Sequence, residues 1–129
     1  MVVLDTSAWI EFSRDTGSPV ARTVERFVDD PSIDLGITEI VLMEVLVGAR
    51  NPAAAAKLRS ELIQLTMLRL DPLLAYEEAA AIYRAARRQG ITIRKMTDCL
   101  VAVPVIKAGA SLLHADADFD RIAQVAPRR

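Results

Sequence analysis

With one histidine and one cysteine in 129 residues, the chain is nearly bare of nitrogen and sulfur metal ligands. His114 and Cys99 together cannot furnish the ligand sets of zinc sites, which argues against a zinc centre. Acid–base catalysis by a pair of histidines is excluded on the same ground, and a serine triad would have to commit His114. His114 reads instead as a strand-end residue. Cys99 has no partner within the chain, so no disulfide framework is expected; it reads as a small buried hydrophobe in a protein suited to a reducing cytoplasm. There is no excess of positive charge either. A formal net charge of -1 leaves no broad basic face, so any polyanion must be gripped locally. Finally, Met1 leads straight into "VVLD" without a basic leader, and no run reaches the ~18 apolar residues of a membrane span. A cytoplasmic location is expected.

What is present is 52% hydrophobic and 26% charged residues, the composition of one globular domain over residues 1–129. "MVVLD" predicts a short buried strand stopping at Asp5. Thr6 and Ser7 are natural caps for a helix in "AWIEFSRD", closed by Gly17. Ser18 and Pro19 open a second helix, "IDLGI" is a weak strand, and Thr38 caps "EIVLMEVLVGAR". A helix over "PAAAAKLRSELIQL" and a strand at "MLRL" follow. Asp71 as cap, Pro72 in the first turn and Gly90 beyond the end frame a long helix. "DCLVAVPVIKAG" reads as a helix, "SLLH" as a strand and "DFDRIAQV" as a closing helical turn. Strands alternating with helices imply an α/β fold with a parallel sheet covered on both faces.

In such a fold ligands gather at the carboxyl ends of the strands, which directs attention to the acids. Asp5 sits where the first strand stops, and Asp116 lies two residues beyond "LLH". Glu44 is the only charge in "IVLMEVLV", a segment apolar all round and expected to be buried, where a charge demands a partner. Asp98 opens a stretch whose next eight residues carry no charge. Each acid alone has an ordinary reading as a helix cap, a dipole partner or half of an ion pair. Together they stand at the borders or in the middle of the most hydrophobic segments. If the four converge, each like-charge pair at ~4 Å costs on the order of 4 kcal/mol at an effective dielectric of ~20, so a cation must offset them. Carboxylate oxygens suit Mg²⁺ or Mn²⁺, and a carboxylate-held Mg²⁺ typically meets a phosphate. Phosphodiester hydrolysis is the chemistry expected. The tempting "DADFD" is not a calcium loop, because its sixth position is Arg121 and its twelfth Pro127.

"VVLDTSAWIE", "TEIVLMEVLVGAR" and "TDCLVAVPVIKAGASLLHADADFDRIA", in that order and over nearly the full length, resemble the successive motifs of the PIN-domain ribonucleases. More narrowly, the chain is similar to VapC-type toxins of bacterial toxin–antitoxin pairs. The resemblance implies a three-layer α/β/α domain with a central parallel sheet of four to five short strands. It also implies an endoribonuclease dependent on Mg²⁺ or Mn²⁺ that hydrolyses RNA through metal-activated water. Carried over by position, Asp5, Asp98, Glu44 and Asp116 are the metal-binding and catalytic acids, with Asp118 a helper or cap. Thr6, Ser7 and Thr97 either hold waters and orient the carboxylates or cap helices. A homodimer and a cognate VapB-type antitoxin, its C-terminal segment lying over the acidic cleft, are the partners implied.

Several features stand beside the resemblance. "YRAARRQGITIRK" gathers Arg84, Arg87, Arg88, Arg94 and Lys95, either an RNA-binding patch or a solvated helix face. Trp9, Phe12 and Phe27 read as core, the alternative being an antitoxin groove or a dimer contact. Pro104 lies inside a predicted helix, where it removes an N–H bond and costs ~3 kcal/mol unless the helix kinks, so a tolerated kink one to two turns after Asp98 is expected. Two other function classes are open from the residues alone. A phosphatase with an aspartyl nucleophile at Asp5 would want an acid at position 7, which is Ser7; a catalytically silent binding module needs no meeting of the acids at all.

Overall fold

In the computed structural model, residues 1–126 are described, and four strands and seven helices alternate among them. β1 (Val2–Leu4), β2 (Leu35–Thr38), β3 (Thr66–Leu68) and β4 (Ser111–Leu113) form one sheet in the order β3-β2-β1-β4, every pair parallel. Between β1 and β2 run α1 (Thr6–Ser13) and α2 (Pro19–Val28); between β2 and β3 run α3 (Glu39–Val47) and α4 (Pro52–Leu62). α5 (Leu74–Arg88) and α6 (Met96–Lys107) carry the chain across to β4, and α7 (Ala117–Val125) follows.

The buried apolar side chains fall into two clusters. Leu4 and Leu35 face a core shared with Ala8 and Val24 of the first two helices, packed by Trp9, Phe12 and Phe27. Ile37 belongs to a larger core with Val41, Ile82, Val101 and Phe119. Val3 and Leu4, consecutive on β1 and so facing opposite sides of the sheet, are both buried, which puts a layer of helix on each side. Close strand approach is needed at Gly36, where a Cβ would lie 3.2 Å from the Thr66 carbonyl oxygen and 3.0 Å from Met1 Sδ.

Several local expectations are corrected by what satisfies the helix ends. Asp5, not Thr6 or Ser7, is the N-cap of α1, its side chain accepting from Ser7 N. Gly17 does not close that helix. Asp15 takes the left-handed conformation (φ 51°), with Asp15 N donating to Phe12 O and Thr16 N to Glu11 O, so the reversal is complete before Gly17. Asp71 caps nothing: α5 begins at Leu74 behind Leu73 at φ 66°, and the Asp71 carboxylate instead pairs with Lys107 on α6. Gly90 stands at the end of α5 as expected, at φ 72°, with Ile91 N donating to Ala86 O and Gly90 N to Arg87 O. α3 is not buried all round, since Met43 is 52% and Val47 80% exposed. α6 runs unbroken through Pro104, which is buried, and Asp98 stays in its first turn.

Candidate active site at the carboxyl ends of the strands

The chain proceeds from β1 outward through β2 to β3 and then returns to place β4 on the other side of β1. That reversal leaves a crevice beyond the carboxyl ends of β1 and β4, the position where ligands enter open α/β sheets. Asp5 leaves β1 at this point. Its backbone N–H donates to Leu113 O at 3.0 Å, and its buried side chain caps α1. Ser7 fixes the carboxylate: its N–H and hydroxyl both donate to Asp5 Oδ2, at 2.9 and 2.6 Å. The same hydroxyl accepts from Ala115 N at 2.9 Å, so one serine ties Asp5 to the loop that carries Asp116.

On the β4 side Asp116 is the N-cap of α7 and accepts from Asp118 N at 2.9 Å. The cap reading of this residue is therefore met. Asp118 is more than a helper. It is fully buried and accepts from the Arg94 and Lys95 backbone N–H groups at 3.1 and 3.0 Å and from the Arg121 guanidinium at 3.0 Å. These bonds join the start of α6 to the start of α7 and bring Asp98 to the cleft. Asp98, Asp116 and Asp118 each offer one carboxylate oxygen, and the three atoms lie within 4.8 Å of one another.

Glu44 reaches the same region from α3, half-buried, and accepts from the Thr6 hydroxyl at 2.9 Å. The partner that its apolar setting demands is thus a hydroxyl. Thr6 and Ser7 thus orient Glu44 and Asp5. Thr97 is exposed and, among the described residues, bonds to none of the acids. The basic segment divides in two. Arg94 stands 3.8 Å from both Asp116 and Asp118, and Lys95 3.5 Å from Asp116 and 3.9 Å from Asp98. Arg84, Arg87 and Arg88 are exposed on α5 and form no ion pair among the described residues.

Electrostatics separates the acids. Burial, the hydrogen bond with Asp118 and the negative charges of Asp116 and Asp5 push the Asp98 carboxyl up to about 8, against the pull of Lys95. Burial acts upward on Asp118 too, but the Arg94 and Lys95 N–H groups, Asp98 and Arg121 outweigh it and hold that carboxyl at about 2. Among the described residues Asp98 Oδ2 is buried with no hydrogen-bond partner. A buried carboxylate oxygen is costly to leave bare, and the surrounding groups are other carboxylates. An oxygen-only set with one orphaned, buried ligand atom fits a hard divalent cation such as Mg²⁺ or Mn²⁺ and does not fit zinc.

Known proteins resemble the chain over nearly its full length. Residues 2–125 match the PIN domain family model. The chain is 41% identical over 125 residues to the VapC ribonuclease Mb1587 of Mycobacterium bovis and, to the same extent, to ribonuclease VapC11 of Mycobacterium tuberculosis. Each alignment spans 97% of this chain and 93% of the relative. Among solved structures, VapBC2 from Rickettsia felis, bound to a DNA fragment from its promoter, superposes with a TM-score of 0.72 at 19% identity. That superposition covers 97% of this chain and 96% of the other, and at such identity it speaks to the fold. The chain belongs to the PIN-domain family and, within it, to the VapC ribonucleases.

Proposed function

We propose that the protein is a divalent-metal-dependent endoribonuclease whose site is formed by Asp5, Glu44, Asp98, Asp116 and Asp118. The observation that carries the reading is the buried, unpartnered Oδ2 of Asp98, set among acids whose oxygens converge within 4.8 Å. Asp98, Asp116 and Asp5 would hold Mg²⁺ or Mn²⁺, with Glu44 at the margin. Bound there, the ion would lower the pKa of a coordinated water and neutralise charge on the phosphoryl group. The protein's own contribution is orientation. Ser7 holds the Asp5 carboxylate, Thr6 holds that of Glu44, and Asp118 fixes the backbone of Arg94 and Lys95 beside the cleft. Arg94 and Lys95 put positive charge at the rim, where an RNA phosphate would enter.

Kinship with VapC ribonucleases supports RNA as the substrate and a VapB-type antitoxin as the inhibitor. Apolar surface is available for an antitoxin and for a second copy of the chain. Met43 and Val47 on α3, and Leu73, Leu74 and Tyr76 at the start of α5, are exposed. No helix among the described residues is long and apolar enough to cross a membrane. We place the protein in the cytoplasm, where RNA is present and Cys99 stays a thiol. The reading is tested by incubating the purified protein with structured RNA in Mg²⁺, Mn²⁺ or EDTA, beside Asp98→Asn. Cleavage that needs the metal and is lost in Asp98→Asn is expected; cleavage in EDTA, or by the variant at the wild-type rate, would refute it.

A further inference from the structure

Lys95 occupies an unusual position in the cleft. Its backbone is pinned on both sides: its N–H donates to Asp118 Oδ2 at 3.0 Å, and its carbonyl accepts from Asp98 N at 3.0 Å. Its side chain is free by comparison, with no capping hydrogen bond in α6 and a relative exposure of 56%. The ammonium nevertheless turns inward, 3.5 Å from Asp116 Oδ2 and 3.9 Å from Asp98 Oδ1, and lies within the field of Glu44 as well. It therefore addresses the same carboxylates that form the metal-ligand set. Arg94 stands farther off: its guanidinium is 3.8 Å from Asp116 and from Asp118, the latter already satisfied by three N–H donors, and among the described residues it forms no ion pair with Asp98.

One positive charge and a divalent cation cannot both sit close to the same carboxylates without mutual repulsion. We propose that Lys95 is a resident counter-ion of the acid cluster, which a divalent cation must displace on binding, so that metal loading releases the ammonium to the rim of the cleft. The exchange needs no backbone movement, because the hydrogen bonds that hold residue 95 in place are made by its main chain. In the metal-free protein Lys95 lowers the cost of bringing the acids together. Once displaced it is free to meet a phosphate. Lys95 is on this account a positioning residue that sets metal affinity, and the inference rests on the metal-binding reading above.

The test is a titration of Mg²⁺ into the intact protein by isothermal calorimetry at pH 9, where proton competition for Asp98 is small. Lys95→Met keeps both main-chain hydrogen bonds and most of the side-chain volume; Lys95→Arg keeps the charge. Loss of the competing cation should tighten Mg²⁺ binding about tenfold in Lys95→Met, with less gain as salt screens the site, while Lys95→Arg stays near wild type. A residue needed only for structure would loosen binding when replaced, so the direction of the change is diagnostic. Unchanged or weaker binding by Lys95→Met, or equal tightening by Lys95→Arg, would overturn the proposal alone. No Mg²⁺ binding by the wild-type protein would overturn the metal reading and this proposal with it.

Discussion

Asp98 and Asp118 each bring a buried carboxylate oxygen to within 4.8 Å of the other and are driven apart in acidity, the one pushed up to about 8 and the other held at about 2. The pair is asymmetric because Asp118 has donors from Arg94, Lys95 and Arg121, whereas Asp98 has a buried oxygen with none. A cation binding at Asp98 must therefore expel a proton near neutral pH. Mg²⁺ affinity should rise by up to about tenfold per pH unit below pH 8 and level off above it. Calorimetry in buffers of different ionisation enthalpy should detect about one proton released per ion near pH 7, and pH-independent affinity would contradict the assignment.

The same asymmetry predicts how stability varies with pH. Asp98 is raised above its ordinary 3.8 in the folded state, so its contribution is fully present below about 4 and is lost as pH rises through about 8. Asp118 is lowered, so its contribution is present above its ordinary 3.8 and is lost as pH falls toward about 2. Metal-free protein should lose stability as pH rises from about 4 to about 8, and saturating Mg²⁺ should reverse that loss. Thermal melts with and without EDTA measure both curves.

Replacing Asp118 should harm the fold more than replacing Asp116. Asp118→Asn turns a buried acceptor of three N–H groups into a side chain whose amide must face some of them, a loss of about 2–4 kcal/mol in urea unfolding. Asp116 keeps 13% side-chain exposure and its ion pairs are long, so Asp116→Asn should cost under about 1 kcal/mol while removing most of the activity.

Ser7→Ala removes the hydroxyl bond to Asp5 and leaves Ala115 N without its acceptor. Stability should fall by about 1–2 kcal/mol, and cleavage by roughly tenfold or more as Asp5 loses its fixed orientation. Thr6→Val, which releases only the half-buried Glu44, should be the milder change in unfolding. Equal rates for Ser7→Ala and the wild type would show that the Asp5 carboxylate needs no such support.

Arg87 and Arg88 are exposed and unpaired among the described residues, on a helix that ends at the edge of the loop leading to Arg94 and Lys95. If RNA tracks along this surface, replacing both by Ala should weaken binding and reduce the salt slope by about 1.4. An unchanged slope would confine RNA contacts to the acidic cleft.

Much of this arrangement was legible in the sequence because it obeys local rules. Asp5 and Asp116 follow short apolar strands, and a parallel sheet puts both on one edge. Ser18, Thr38 and Gly90 act at helix ends as their types demand. The weight of Asp118 was not legible, because its main-chain donors lie 23 and 24 residues earlier and backbone N–H groups leave no mark in a sequence. Asp71 looked like a cap, but its carboxylate pairs with Lys107, 36 residues away, and the turn is made by Leu73. Apolarity suggested that α3 was buried all round; instead Met43 and Val47 face outward, where composition alone cannot separate core from partner surface. Pro104 predicts a kink; α6 is one helix through it, and Asp98 lies with Asp116 and Asp118.

The central claim is that these dispersed carboxylates jointly hold a divalent cation. Its most direct test is the anomalous scattering of Mn²⁺ in crystals of the wild-type protein and of Asp98→Asn. The account predicts one strong peak coordinated by the Asp98 and Asp116 carboxylates, lost or greatly weakened in the variant. A peak that survives Asp98→Asn, or that lies away from these acids, would contradict it.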